Sequence, residues 1–145
     1  TKGSRDQQPF SIRGQYVSAV ICYEVVYPDL VARSTVESSL IVTVSNDTWF
    51  GRSLGPIQHM QMVRMRAIEN AKPIVRATNN GITGVIDFQG RLQASLDRGV
   101  KSTLSGTVQP RTGHTPFSIV GSWPIIIFSM LSCLSLVILR SKLEP

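Results

Sequence analysis

The chain has 145 residues, 15 of them Lys or Arg against 9 Asp or Glu, for a formal net charge of +6. That length suffices for one domain of ordinary size with its own core. The basic residues are scattered and do not interleave with aromatics, which argues against a nucleic-acid groove and leaves at most a mild attraction to anionic lipid headgroups.

The opening "TKGSRDQQPF" has no initiating Met and no signal-peptide pattern, and reads as a polar surface loop within a longer chain. "QYVSAVIC", 15 to 22, is an expected strand with Cys22 at its end. "PDLVARSTVESS", 28 to 39, is an expected helix with Pro28 in its first turn. "LIVTVS", 40 to 45, is a nearly continuous apolar run of the kind buried on both faces, so the first two strands and their helix suggest a βαβ unit. "NDTWFGRSLGP" is a loop punctuated by Gly51, Gly55 and Pro56.

A helix is expected from about Pro56 to Asn70, with Ile57, Met60, Val63, Ala67 and Ile68 on its apolar face and Pro73 stopping it. On it, Arg66 and Glu69 stand three apart and suit an ion pair. "IVRAT" is a third strand. "NNG" is a tight turn with Gly81 free to take positive φ. "ITGVIDFQGRLQASL" is a hairpin about "DFQG", and "STLSGTVQP" is a last strand. The two histidines, His59 and His114, are isolated from each other and from the cysteines. Each reads as a surface or hydrogen-bonding residue, no metal-ligand spacing exists, and a Cys22–Cys133 disulfide is not expected.

Residues 117 to 139 carry no charged side chain. Such a run of about 23 residues exceeds the roughly 20 that a bilayer-spanning helix needs. Trp123 suits an interface, Pro124 suits a first helical turn, and Ser129, Ser132 and Ser135 suit bonds back to the helix or to other helices. Arg140 and Lys142 follow at once, so the tail is expected in the cytoplasm and the preceding domain across the membrane. Cys133 is then an inert thiol in an apolar setting.

The chemistry gathers at strand ends. In an open α/β sheet, ligands bind beyond the carboxyl ends of the strands. Cys22, "SNDTWFG" and "TNNG" each follow such a strand, so three polar loops converge on one edge with a thiol among them. A lone cysteine at a strand end also suits a small buried hydrophobe. Glu24 suits either the site or a helix-entry carboxylate, and Trp49 and Phe50 suit a substrate wall, loop packing or the bilayer surface.

"ICYE", "SNDTWFG", "QHMQMVRMRAIEN" and "VRATNNGITGVID..G", in this order and followed by an apolar segment, resemble the C-terminal part of the apolipoprotein N-acyltransferase family. That family carries a domain of the nitrilase, or carbon–nitrogen hydrolase, superfamily on a bundle of membrane helices. The resemblance implies an α/β fold: part of a nitrilase-like αββα sandwich over residues 1 to 116, one transmembrane helix over 117 to 139, and a cytoplasmic tail over 140 to 145. It implies Cys22 as the nucleophile of a Glu–Lys–Cys triad, Tyr23, Glu24 and Asn46 as supporting residues, and Trp49, Phe50 and Gly51 as an acyl-binding loop. His59, Arg64, Arg66 and Glu69 fall on a helix that backs the site, and Asn79 and Asn80 on a scaffold turn.

By the same resemblance the acyl donor is a membrane phospholipid and the acceptor is the N-terminal amine of a diacylglyceryl-cysteine apolipoprotein. The reaction is ping-pong through a thioester and takes no metal or organic cofactor. The setting is a bacterial inner membrane, with the catalytic domain periplasmic. The triad Glu and Lys lie upstream of the residues present here, so this stretch alone is expected to be inactive. A membrane-tethered amidase or a non-catalytic binding domain are the alternatives.

Overall fold

The computed structural model describes residues 7–143, with side chains described as far as 140. Among these residues one six-stranded sheet forms, with its strands in chain order. They are β1 (Phe10–Ile12), β2 (Gln15–Ile21), β3 (Leu40–Asn46), β4 (Ile74–Asn79), β5 (Thr83–Ile86) and β6 (Leu92–Leu96). β2, β3 and β4 are parallel, and β1, β5 and β6 run antiparallel to their neighbours. The parallel trio demands crossovers, which α1 (Pro28–Ser34) and α2 (Gly55–Asn70) supply.

The two helices pack on each other and on one face of the sheet. Val20, Ile41, Ile74 and Ile86 from the strands meet Val31, Met60, Val63 and Ala67 from the helices in one core, which Val25 joins from the turn after β2. The register puts Ile41 opposite Ile74 and Thr43 opposite Arg76, so the residue two beyond each core isoleucine also faces the helices. The opposite face is more open, with Ile21 59% and Val44 48% exposed.

Several expectations are corrected. β1 lies where the sequence reads as loop, its three exposed residues held by pairing with β2 across a turn at Arg13 and Gly14, both at positive φ. β2 ends at Ile21, one residue before the thiol. α1 stops at Ser34 rather than at 39, where the Thr35 hydroxyl bonds back to the Val31 and Ala32 carbonyls. In the "NNG" turn, Asn80 and not Gly81 takes the left-handed conformation, at φ 55°. Gly81 is required for another reason, because a methyl group there would overlap the Asp47 carboxylate and the Thr78 hydroxyl.

The expected strand "STLSGTVQP" is irregular. Gly106 lies against the Val85 side chain, so this Ser- and Thr-rich segment crosses a face of the sheet instead of extending its edge. It is tied down at its end. Arg111 N–H donates to Ser39 O at 2.9 Å, Lys72 Nζ donates to Gly113 O at 3.2 Å, and the Thr115 hydroxyl donates to Glu69 O. Lys72 is 2% exposed, and burial pulls its pKa below the ordinary lysine value.

The apolar run is divided. Residues Pro116–Val120 form a short helix, α3, and Gly121 turns the chain at φ 60°. A separate helix, α4, follows over Trp123–Leu143. Its window Trp123–Arg140 has a mean hydropathy of 2.0, is unburied, and is long enough to cross a membrane. Pro124 sits in its first turn, and Ser129 and Ser132 bond back to the helix carbonyls at 2.8 Å. Asp29 of α1 accepts from Ser122 N–H at 2.9 Å and so joins the domain to the start of this helix.

Candidate active site

Cys22 opens a 3₁₀ turn, Cys22–Val26, directly beyond β2. Its φ is 52°. A non-glycine residue in that region costs on the order of 1 kcal/mol or more and persists only where its surroundings impose it. Two contacts impose it here. Val25 is fully buried in the core, and the Glu24 carboxylate reaches back to accept from Ile21 N–H at 2.8 Å. The chain is thus closed into a tight elbow with the half-buried thiol at its apex. Glu24 therefore shapes the elbow, and it does so as a turn-closing acceptor.

The second loop starts at the end of β3. Asn46 is exposed, and its Oδ1 accepts from Thr48 N–H at 3.2 Å, forming a turn that launches Thr48–Phe50. Trp49 is 64% exposed and stacks on Phe50 with ring centroids 4.0 Å apart. Gly51 follows at φ 56°, a conformation natural to glycine. Trp49 is thus no core residue, and Phe50, half-buried, fixes the pair by leaning on His59 at 6.0 Å. Arg98 pins the loop from outside. Its guanidinium donates to the carbonyls of Gly51 at 2.7 Å, Asn80 at 3.2 Å and Ser53 at 3.4 Å.

Beneath both loops lies a buried charged network that the sequence reading did not single out. Asp47 is wholly buried, and Arg76 of β4 donates to its Oδ2 at 2.8 Å with both side chains at 0% exposure. His59 of α2, 2% exposed, places Nδ1 3.1 Å from Asp47 Oδ1. Ser45 places its hydroxyl 2.6 Å from the same Oδ1 and 3.5 Å from the Cys22 sulfur. Burial, with the neighbouring Arg76 charge, pulls the His59 pKa below 6.5, against the opposing pull of Asp47 and of the Cys22 backbone. Nδ1 also lies 3.2 Å from Arg76 Nη2, so it donates to Asp47 in one tautomer and accepts from Arg76 in the other. Tyr23, on the elbow, lies 6.4 Å from the same imidazole. His59 therefore touches both loops and their shared carboxylate.

One signal for this network was present. In "IVRAT", Arg76 takes the same alternation as Ile74, so an arginine points into the core and must meet a buried acid. The acid, Asp47, was hidden among the polar loop residues of "SNDTWFG". Farther along α2, Arg66 Nη2 and Glu69 Oε1 form the expected pair at 2.8 Å. Burial shifts each toward its neutral form, raising Glu69 and lowering Arg66, and the ion pair opposes both shifts.

The elbow, the aromatic loop and Asn79–Asn80 thus share the carboxyl edge of three parallel strands. Such an arrangement suits a thiol nucleophile: the sulfur is half-buried, the Ser45 hydroxyl lies 3.5 Å from it, and an aromatic loop shares its edge of the sheet.

Residues 1–117 match the model of the carbon-nitrogen hydrolase family. An apolipoprotein N-acyltransferase of Pseudomonas syringae pv. tomato is 44% identical over 130 residues, covering 90% of this chain and 26% of that protein. One from Azotobacter vinelandii is 41% identical over 143 residues, covering 99% of this chain and 28% of its own length. The chain therefore spans about a quarter of the length of these curated relatives. Among solved structures, a carbon-nitrogen hydrolase of Helicobacter pylori G27 aligns with a TM-score of 0.58 at 14% identity, over 68% of this chain and 42% of that one. The C. elegans NitFhit protein aligns at 0.53 and 20%, over 68% and 26%. These two likenesses establish a nitrilase-like fold for the sheet and its helix pair. Its length of match, its fold and the order of its loops agree, and the chain belongs to the carbon-nitrogen hydrolase family.

Proposed function

We propose that this chain is the nucleophile-bearing part of a membrane N-acyltransferase of the apolipoprotein type. The observation that carries the reading is a thiol held in a left-handed elbow at the same sheet edge as an exposed aromatic stack, in one chain with a helix long enough to cross a bilayer. The relatives' name supplies the reaction class.

In this reading the Cys22 sulfur attacks the ester carbonyl of a phospholipid. A bond forms from sulfur to the acyl carbon, the ester C–O bond breaks, and the lysophospholipid leaves with a proton. The amine of a diacylglyceryl-cysteine apolipoprotein then attacks the thioester, and the thiol is regenerated. Trp49 and Phe50 give the acyl chain an apolar wall, with Gly51 shaping their loop. Tyr23, Glu24 and Asn46 set the two loops around the sulfur. The general base and the cation that holds the developing oxyanion come from the part of the protein outside this chain, so the chain alone is inactive.

Residues 1 to 116 form the catalytic domain on the periplasmic side of a bacterial inner membrane, the separate helix that starts at Trp123 within the apolar run 117 to 139 is the membrane segment, and the residues after Arg140 lead into a cytoplasmic tail. Arg140 and Lys142 favour that orientation. A site at the bilayer surface sees both lipid substrates at raised local concentration.

The test is to supply the full-length gene product, in detergent–lipid micelles, with acyl-labelled phospholipid and a diacylglyceryl peptide. Label appearing in amide linkage on the peptide amine supports the reading. Label released only as free fatty acid, with small amides turned over, would make the protein a tethered hydrolase instead.

A further inference from the structure

Ser45 stands between the thiol and the buried acid, and its hydroxyl has one proton for two acceptors. Its oxygen is 2.6 Å from Asp47 Oδ1 and 3.5 Å from Cys22 Sγ. The short contact to a carboxylate is where the proton rests while the sulfur is a thiol, because charged acceptors bind donors most strongly. A thiolate would change that balance, being a second anionic acceptor in reach.

Asp47 is built to release the proton. Its Oδ2 keeps Arg76 at 2.8 Å, and in the tautomer that carries Nδ1–H its Oδ1 keeps His59 at 3.1 Å, so each oxygen then still has a donor when the hydroxyl turns away. A carboxylate satisfied only by Ser45 could not afford this, since a buried acceptor stripped of its donor is costly. The redundancy of donors on Asp47 is therefore the feature that needs a reason, and a rotating hydroxyl supplies one.

We propose that Ser45 is a switching hydrogen-bond donor, bonded to Asp47 in the resting thiol and turned onto the Cys22 sulfur once it is ionised. Ser45 gains and loses no proton. The thiol proton leaves to base or solvent, and only the direction of the hydroxyl changes. When the sulfur becomes a thioester its charge is gone, and the hydroxyl returns to Asp47. Asp47, Arg76 and His59 act through Ser45 and are positioning residues. This proposal rests on Cys22 being the nucleophile.

The ionisable and charged groups on the elements packed around Cys22 are Asp47 beyond β3, His59 on α2, Arg76 on β4, and Tyr23 and Glu24 on its own turn. A substitution at Ser45 leaves these side chains in place and takes a donor only from Asp47, so the Thr and Val variants, alike in shape, differ in the hydroxyl.

The experiment uses the full-length protein with Cys22 as its only cysteine, and iodoacetamide as the probe. Alkylation rate is followed against pH for wild type, Ser45→Thr, Ser45→Ala and Ser45→Val, with a thermal melt of each. Threonine keeps the hydroxyl and valine is its isostere without one. The proposal expects the Thr profile to overlay wild type. It expects the Ala and Val profiles to reach half-maximal rate about one pH unit higher, as the loss of one hydrogen bond to a charged group implies. Coincident profiles for all four would overturn it, and so would a Val variant that fails to fold while Thr folds, because the hydroxyl would then serve Asp47 alone. Acyl transfer by Cys22→Ala is measured separately. Transfer surviving in that variant defeats the proposed function and leaves the alkylation result standing.

Discussion

Replacing Arg76 by Met tests the buried network directly. The side chains are close in size, so the main loss is the guanidinium that neutralises Asp47 at 2.8 Å, where both residues have 0% exposure. Removing one partner of a buried ion pair costs about 3–5 kcal/mol, because the other charge stays buried without compensation. Here Asp47 keeps Ser45 at 2.6 Å and His59 at 3.1 Å, which places the loss near the lower end, at about 3 kcal/mol. For a domain of this class that lowers Tm by about 6–12 °C.

The loss should also depend on pH. In the wild type, the His59 pKa is pulled below 6.5, chiefly by burial and then by Arg76. Between 6.5 and that lower value the unfolded chain binds more protons, so wild-type stability falls as the pH falls through the window. Without Arg76 the second cause is gone, the imidazolium becomes the partner of Asp47, and the folded-state pKa rises. The gap between variant and wild type therefore narrows on acidification. The assay is a melt of the purified full-length protein in detergent at pH values on either side of that window. A loss under about 1 kcal/mol at neutral pH, or a gap that widens at the acid end, would refute the reasoning.

Trp49→Ala should cost no more than about 0.5–1.5 kcal/mol, the worth of an aromatic pair such as its stack on Phe50, yet slow acyl-enzyme formation from phospholipid per folded molecule. Normal acylation would remove it from the acyl path. Arg98→Ala frees three loop carbonyls and should raise proteolytic nicking between Trp49 and Leu54, whereas an unchanged nicking rate would mean the loop holds itself. Gly121→Ala places a methyl group against Asp29 at a positive φ and should lower Tm by several degrees, with a neutral result arguing that the α1–α4 joint is loose. For orientation, an impermeant thiol reagent on spheroplasts should spare a cysteine introduced just after Arg140, and labelling there would reverse the proposed topology.

Much of the fold could be read from patterning. β2, β3 and β4 are strands bounded by polar loops, and α2 buries Met60, Val63 and Ala67 of its expected apolar face while Ile57 and Ile68 stay exposed at 44% and 47%. The carboxyl-edge location of Cys22 and the aromatic loop followed from strand order alone. β1 was not legible because its three residues are exposed on both faces and owe their shape to β2, which a local reading cannot see. The segment 102 to 110 has strand-like residues but spends them on the face of the sheet near Val85. The charged network was illegible for a different reason. Asp47, His59 and Arg76 come from a loop, a helix and a strand, each with an ordinary local role, and their burial is decided only when those elements meet. Cys22 itself was legible as a position. Its left-handed backbone was not, because that depends on Glu24 turning back to Ile21.

In the proposed reaction Cys22 carries the acyl group. The measurement is peptide mass spectrometry of the full-length protein after incubation with phospholipid and no acceptor, before and after neutral hydroxylamine. One acyl chain is expected on the peptide containing Cys22, removed by hydroxylamine, discharged by a diacylglyceryl peptide, and absent from Cys22→Ala. Acyl transfer that proceeds with the Cys22 peptide unmodified, or with the label on Cys133, would contradict it.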